Sequence, residues 1–205
     1  MATAKAPSGR RGPSKSAQPP CGAQNAPAIT FPMNGPKAPQ IKPEECVVRC
    51  IEASSDGIRV MVLPRVVDVR RMLNETYGNL GWGDTYYRSG SWWRCQIEVL
   101  SLAPGLYVRK DAGPLDIPTT SPERMQENTS FLAAAAMLGF AEDVMELPAI
   151  FLKADKVPVM QDKSGKYRPA AKLTVDRFAR DEAGAITMVQ FALSDGKKVL
   201  WPEKA

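Results

Sequence analysis

From residue 92 to residue 100 the chain alternates cleanly. Trp93, Cys95, Ile97 and Val99 fall on one side, and Trp92, Arg94, Gln96, Glu98 and Leu100 on the other. A period of two predicts a strand with one buried face. Residues 84–88, joined to it through Ser89-Gly90-Ser91, predict a hairpin partner, and residues 106–110 a third strand after the Pro104-Gly105 turn. Upstream, the apolar-rich runs 46–52 and 58–63 bracket Ser54-Ser55-Asp56-Gly57 and predict another hairpin. Between the two hairpins Asp68 is the candidate N-cap of a short helix. Val69, Met72, Leu73 and Thr76 share its inner face, Arg70, Arg71 and Asn74 face outward, and Gly78 stops it.

The pattern changes to helical spacing at 121–147, which reads as the one long helix of the chain. Ser121 is a suitable N-cap, Pro122 suits the first helical position, and Glu123 favours the positive end of the helix dipole. Met125, Leu132, Ala135, Ala136 and Leu138 form the apolar face, and Gly139 offers a stop. Such a helix, about 17 residues and ~25 Å long, would cover a three-stranded sheet. Beyond Pro148, residues 150–153 are short and ambiguous and 155–171 read as a polar loop. Segments 173–180, 186–193 and 199–201, punctuated by Asp181-Glu182-Ala183-Gly184 and Asp195-Gly196, predict a terminal β-meander.

The expected fold is therefore α+β: an antiparallel sheet built from a β-hairpin, a helix and a three-stranded meander, covered by one long helix, with a C-terminal β-meander. Residues 1–44, with nine of the 18 prolines and almost no periodicity, read as a disordered basic tail; 45–153 form the core and 154–205 the C-terminal loop and meander.

Composition narrows the chemistry. The chain has no histidine, which excludes imidazole acid/base catalysis and Ser-His or Cys-His nucleophile pairs. Its four cysteines lack the C-x-x-C spacing of a zinc knuckle, so no metal site is expected. There is no phosphate-cradling Gly-Lys-Ser/Thr loop, no nucleophile elbow and no H-E-x-x-H, so neither a catalytic residue nor a cofactor is expected. No run approaches the ~18 apolar residues of a membrane span, and the N-terminus lacks a signal-peptide core, which points to a soluble, intracellular protein. The net charge of +5 is uneven: residues 1–45 carry +4, 46–150 carry −3 and 151–205 carry +4.

The order of these elements, with the helix ending in NETYGNLGW and the strand SWWRCQIEVL, resembles the Rad fifty-two family of single-strand annealing proteins, especially its phage and bacterial branch. Leu73, Asn74, Glu75, Gly78 and Trp82 match the family's L-(D/N)-E-x-x-G-x-x-x-W pattern, Cys95-Gln96-Ile97 its C-x-I element, and Lys110, Asp111 and Gly113 part of a K-x-D-G segment. The resemblance covers residues 46–150. It implies a homo-oligomeric ring or filament that binds single-stranded DNA and anneals it without ATP in a bacterial host cell. A phage exonuclease or single-strand-binding protein would be its companion. The family's Lys-Arg-Ala in the long helix is replaced: aligned on Gly139, Leu132, Ala133 and Ala134 stand there, and Phe140-Ala141-Glu142-Asp143 replaces a later Gly-Arg.

With the family's basic pair gone, other cations must follow the phosphates. The candidates are Arg65, Arg70 and Arg71 near the short helix, Arg88 and Arg94 on the strand hairpin, and Arg109 and Lys110 on the third strand, with Trp92 as a stacking surface. The alternative is an oligomeric structural or interaction protein that kept the scaffold and lost the groove.

Overall fold

The computed structural model describes residues 36–101, 106–119 and 121–202. Among them the fold is α+β, with antiparallel sheets and few helices. The expected tail lies outside the described residues as far as position 35. Beyond that the packed body begins earlier than the pattern indicates: Ile41 is fully buried, and a 3-10 turn, Pro43–Glu45, precedes the first strand.

The first hairpin joins β1 (Cys46–Ser54) to β2 (Gly57–Pro64) with Ser54 opposite Gly57. Gly57 is required there, because a Cβ would lie 2.2 Å from the carbonyl oxygen of Leu152. Helix α1 (Val66–Tyr77) follows and buries Val69, Met72 and Leu73. Its N-cap is Arg65, not Asp68. Asp68 sits inside the first turn and is nearly buried, where its carboxylate accepts a bond from Arg65 Nε at 2.6 Å and one from Arg71. A carboxylate in the first turn complements the helix dipole whether or not it caps, which is why the pattern misplaces the boundary.

Strands β3 (Trp82–Ser89), β4 (Trp92–Leu100) and β5 (Tyr107–Ala112) form a second sheet in the order β3-β4-β5. Cys95, Ile97 and Val99 are buried on one face, as the alternation predicts. Helix α2 (Pro122–Ala136) packs on that face against β4 and β5. Its Gln126 side chain accepts the Trp93 N–H at 3.0 Å, and its Phe131 ring meets Trp82 at 6.3 Å. α1 and a short helix, α3 (Glu142–Met145), lie against its other side. Phe131, Leu132, Ala134 and Ala135 are all buried, so α2 is apolar around most of its circumference. Even its hydroxyls turn inward: Thr129 donates to the carbonyl of Met125 at 2.8 Å and accepts the Leu115 N–H at 3.1 Å, tying the segment after β5 to the helix.

The expected single helix over 121–147 is thus corrected. It ends at Ala136, the chain turns through Gly139 at φ 87° and Ala141 at φ 55°, and α3 restarts it for one turn. Phe140 and Val144 keep apolar spacing across the break, so periodicity alone cannot reveal it.

Strand β6 (Ile150–Lys153) pairs with β2 and completes a sheet of order β1-β2-β6. The expected loop at 155–171 is also corrected, since it contains a small hairpin of β7 (Val159–Gln161) and β8 (Tyr167–Pro169). Asp162 builds its turn by accepting bonds from Ser164 Oγ at 2.6 Å and from the Ser164 and Lys166 backbone N–H groups. The Ser164 hydroxyl, the largest influence, and these backbone donors bring the Asp162 carboxyl down to about 2. Its stabilisation is present above the ordinary carboxylate range near pH ~4 and is lost as pH falls through the folded value. A carboxyl-detected NMR titration is expected to place the Asp162 midpoint near 2, and Ser164→Ala to move it upward; a midpoint near 4 would show that the turn does not hold the charge.

The meander β9 (Leu173–Arg180), β10 (Ile186–Leu193) and β11 (Lys198–Trp201) forms its own sheet, order β11-β10-β9. β9 packs against β1 and the 3-10 turn. The Arg180 guanidinium closes this junction. It bonds Asp143 through Nε at 2.9 Å and the Ile41 carbonyl through Nη2 at 2.9 Å.

Candidate nucleic-acid interface

The β3-β4-β5 sheet has one covered face and one open one. Register assigns residues to each, because directly paired residues share a side. Opposite Arg94 stands Tyr87, opposite Gln96 stand Thr85 and Asp111, opposite Glu98 stand Gly83 and Arg109, and Leu100 faces Tyr107. These, with Trp92, make up the open face. Trp92, Tyr87, Leu100 and Tyr107 are all exposed on it, at 49%, 40%, 46% and 59%. Aromatic rings at both ends of a sheet face with guanidinium groups between them can stack bases and meet phosphates.

Its centre is a bonded cluster. Arg94 donates Nε to Asp111 at 2.7 Å and also Nη2, while the Tyr87 hydroxyl donates to the other oxygen of Asp111. Burial works against the Asp111 charge, but the bonds from Tyr87 and Arg94 outweigh it and hold the carboxyl below its usual value. Toward Tyr107, Arg109 pairs with Glu98 at 2.7 Å.

The other candidate cations lie elsewhere. Arg70 leaves α1 toward the covered face, where it grips Asp84 with both Nη atoms, donates to Tyr86 at 3.1 Å and lies 4.6 Å from the Phe131 ring centre. Arg71 bonds Glu45 and Asp68 and pairs with Glu75 at 3.5 Å, and Arg65 holds Asp68. Arg88 pairs with Glu123 and lies over the Trp93 ring at 4.9 Å. Lys110, opposite Ile97, is on the covered side rather than beside Arg94 and Arg109. It opens into a separate cleft of about 840 Å³ whose lining includes the carboxylates of Glu142, Asp143, Asp181 and Glu182. That charge is the wrong sign for a phosphate path.

Of the eight residues picked from the sequence, the open face therefore brings together Trp92, Arg94 and Arg109. All six of its arginine companions and members, Arg65, Arg70, Arg71, Arg88, Arg94 and Arg109, already hold carboxylates. Sequence reading missed Tyr107 as a member of the face and Asp111 as its centre, and it preferred Trp92 to Tyr87 as the stacking surface. The signal for Tyr87 was present, since the hairpin turn sets it opposite Arg94.

The motif residues that carried the resemblance resolve into architecture. Leu73 is core, Gly78 at φ 74° returns its N–H to the Asn74 carbonyl at 2.8 Å, and the Asn74 side chain accepts the Trp82 indole N–H at 2.7 Å. The pattern builds the turn from α1 into β3. Cys95 and Ile97 are core, and burial, its main cause, pushes the Cys95 thiol up to about 12. Leu132 is 3% exposed and Ala133 half-buried, so position 132 belongs to the core.

Among the described residues no helix is long and apolar enough to cross a membrane. Comparison with family models, with curated proteins and with solved structures finds no match to this chain.

Proposed function

We propose that this chain is a single-stranded DNA binding and annealing protein of homologous recombination and repair, ATP-independent, of phage or prophage type. It works as a homo-oligomeric ring or filament in the bacterial cytoplasm, with a phage exonuclease or single-strand-binding protein as companion. The observation that carries the reading is the open face of the β3-β4-β5 sheet, where Trp92, Tyr87 and Tyr107 accompany Arg94 and Arg109. The resemblance in element order supports it. In this reading α2 is the long covering helix, which occupies one face of the sheet and leaves the other to the strand. Annealing requires no bond to be made or broken: the protein holds strands extended, offsets phosphate repulsion and leaves bases free to pair. A guanidinium has five donors, so Arg94 and Arg109 can keep a carboxylate and still reach a phosphate.

Fluorescence anisotropy of a labelled 30-nucleotide strand across a salt series tests this. Binding is expected at low salt, and Arg94→Ala with Arg109→Ala is expected to reduce the salt slope by about 2, roughly one per lost phosphate contact. Lys110→Ala, on the other side of the sheet, is expected to change little. Absence of binding at low salt removes the DNA function.

One observation favours a second reading. Six guanidinium groups are committed to carboxylates and the helix lacks its basic pair, as in an oligomeric structural or interaction protein that kept the scaffold and lost the groove. Light scattering beside the binding assay separates the two, since a large oligomer without DNA affinity supports only the second.

A further inference from the structure

We infer that a cleft at the hairpin end of the open sheet face is a pocket for one guanine base of the bound strand, an assignment that rests on the DNA reading and narrows it. The cleft, about 410 Å³, is lined by Ser89, Trp92, Arg94, Pro114 and Asp116. That is within the ~300–1,000 Å³ of ligand clefts.

Four of the five lining residues have a distinct part. Trp92 begins β4 and leaves half of its surface uncovered, so the indole is a stacking wall, and Pro114 adds apolar surface. Asp116 is exposed and makes no ion pair or side-chain hydrogen bond with the described residues. An ionised carboxylate only accepts hydrogen bonds. It turns away phosphate and selects a base edge that donates. Guanine alone has two adjacent donors, N1–H and N2–H, spaced to meet the two oxygens of one carboxylate. Adenine and cytosine set a single amino group beside a ring acceptor, and thymine sets its one imino group between two carbonyls, so each puts an acceptor against Asp116.

Arg94 completes the pocket. Its Nε and Nη2 are held by Asp111, and Nη1 lies near enough to Gly113 that a Cβ there would stand 3.4 Å from it. Tyr87 also bonds this guanidinium, and with five donors it keeps N–H groups for the backbone of the strand as it enters. One base per protomer is held, and its neighbours along the sheet face stay available for pairing.

The test uses the full chain and 20-nucleotide thymine strands in which every fifth base is thymine, adenine, cytosine, guanine or inosine, which is guanine without its N2 amino group. The guanine strand is expected to bind about tenfold tighter than the all-thymine strand, within the range for a bidentate base contact, and inosine to lose most of that gain. Asp116→Asn, a surface change, is expected to make guanine and inosine strands bind equally, because an amide cannot accept both donors. Trp92→Ala is expected to weaken the guanine strand by about tenfold through lost stacking. If the unaltered protein binds all five strands equally, the pocket is wrong while the DNA reading stands. If it binds none, both fall.

Discussion

Leu132→Lys, which restores the first basic residue of the annealing-protein pattern, is expected to cost about 3 kcal/mol or more of folding stability without improving DNA affinity. The side chain at 132 is 3% exposed and has Phe131, Ala134 and Ala135 buried beside it. α2 is enclosed on one side by β4 and β5 and on the other by α1 and α3, so a lysine has no short route to water. The buried carboxylates of Glu45 and Asp68 are already engaged by Arg71 and Arg65. An uncompensated buried charge costs roughly 3–5 kcal/mol. Ala133→Arg is the control, because position 133 is half-buried and a long side chain can carry its charge outward. It is expected to change stability by less than about 1 kcal/mol. Urea denaturation measures both, and a Leu132→Lys protein with the original midpoint would mean that the helix face is open after all. Packing then accounts for the leucine at 132, where a helix with neighbours on both sides cannot keep a cation, but not for the alanine at 133.

The contrast between what the residue pattern discloses and what it hides follows from the range of the interactions. β9 and β10 match the alternating segments end to end, and β4 matches its own, because a strand with one buried face writes a period of two into the chain. The break after Ala136 shows only in the Gly139 stop, not in the apolar spacing. Phe140 and Val144 stay on an apolar period while Ala141, a residue with no preference for positive φ, makes the turn. The β7-β8 hairpin is too short and polar to show a period, although Asp162 with Ser164 and Gly165 is a turn signal in retrospect. The candidate site suffered most. Arg70 finds Asp84 14 residues away, Arg94 finds Asp111 at 17 and Arg71 finds Glu45 at 26. No local pattern tells a paired guanidinium from a free one. The pairing register, not the list of cations, separates Arg94 and Arg109 from Lys110.

Arg180→Ala is expected to be the other large loss, about 2–3 kcal/mol, below the roughly 3–5 kcal/mol of a fully buried ion pair because this one is part-buried. The two side chains are 18% and 19% exposed, and the shorter contact between them is 2.7 Å. Arg180 also satisfies the Ile41 carbonyl, and its guanidinium lies 5.2 Å from the Phe178 ring centre. It thus links three parts of the chain far apart in sequence: the segment before β1, the short helix α3 and the meander. Truncation leaves Asp143 without its counter-charge and Ile41 with an unpaired acceptor in the core, and these costs are separable. Arg180→Ala combined with Asp143→Ala removes the stranded charge but not the stranded carbonyl, so the double variant is expected to be more stable than the single one by about 1–2 kcal/mol. Hydrogen exchange reads the location: in Arg180→Ala, amides at 40–46 should lose protection before those of β2, because Ile41 is held by this contact while Ile58, Val60 and Val62 are held by the sheet. Equal stability of the single and double variants would show that the carbonyl, rather than the ion pair, is what Arg180 secures.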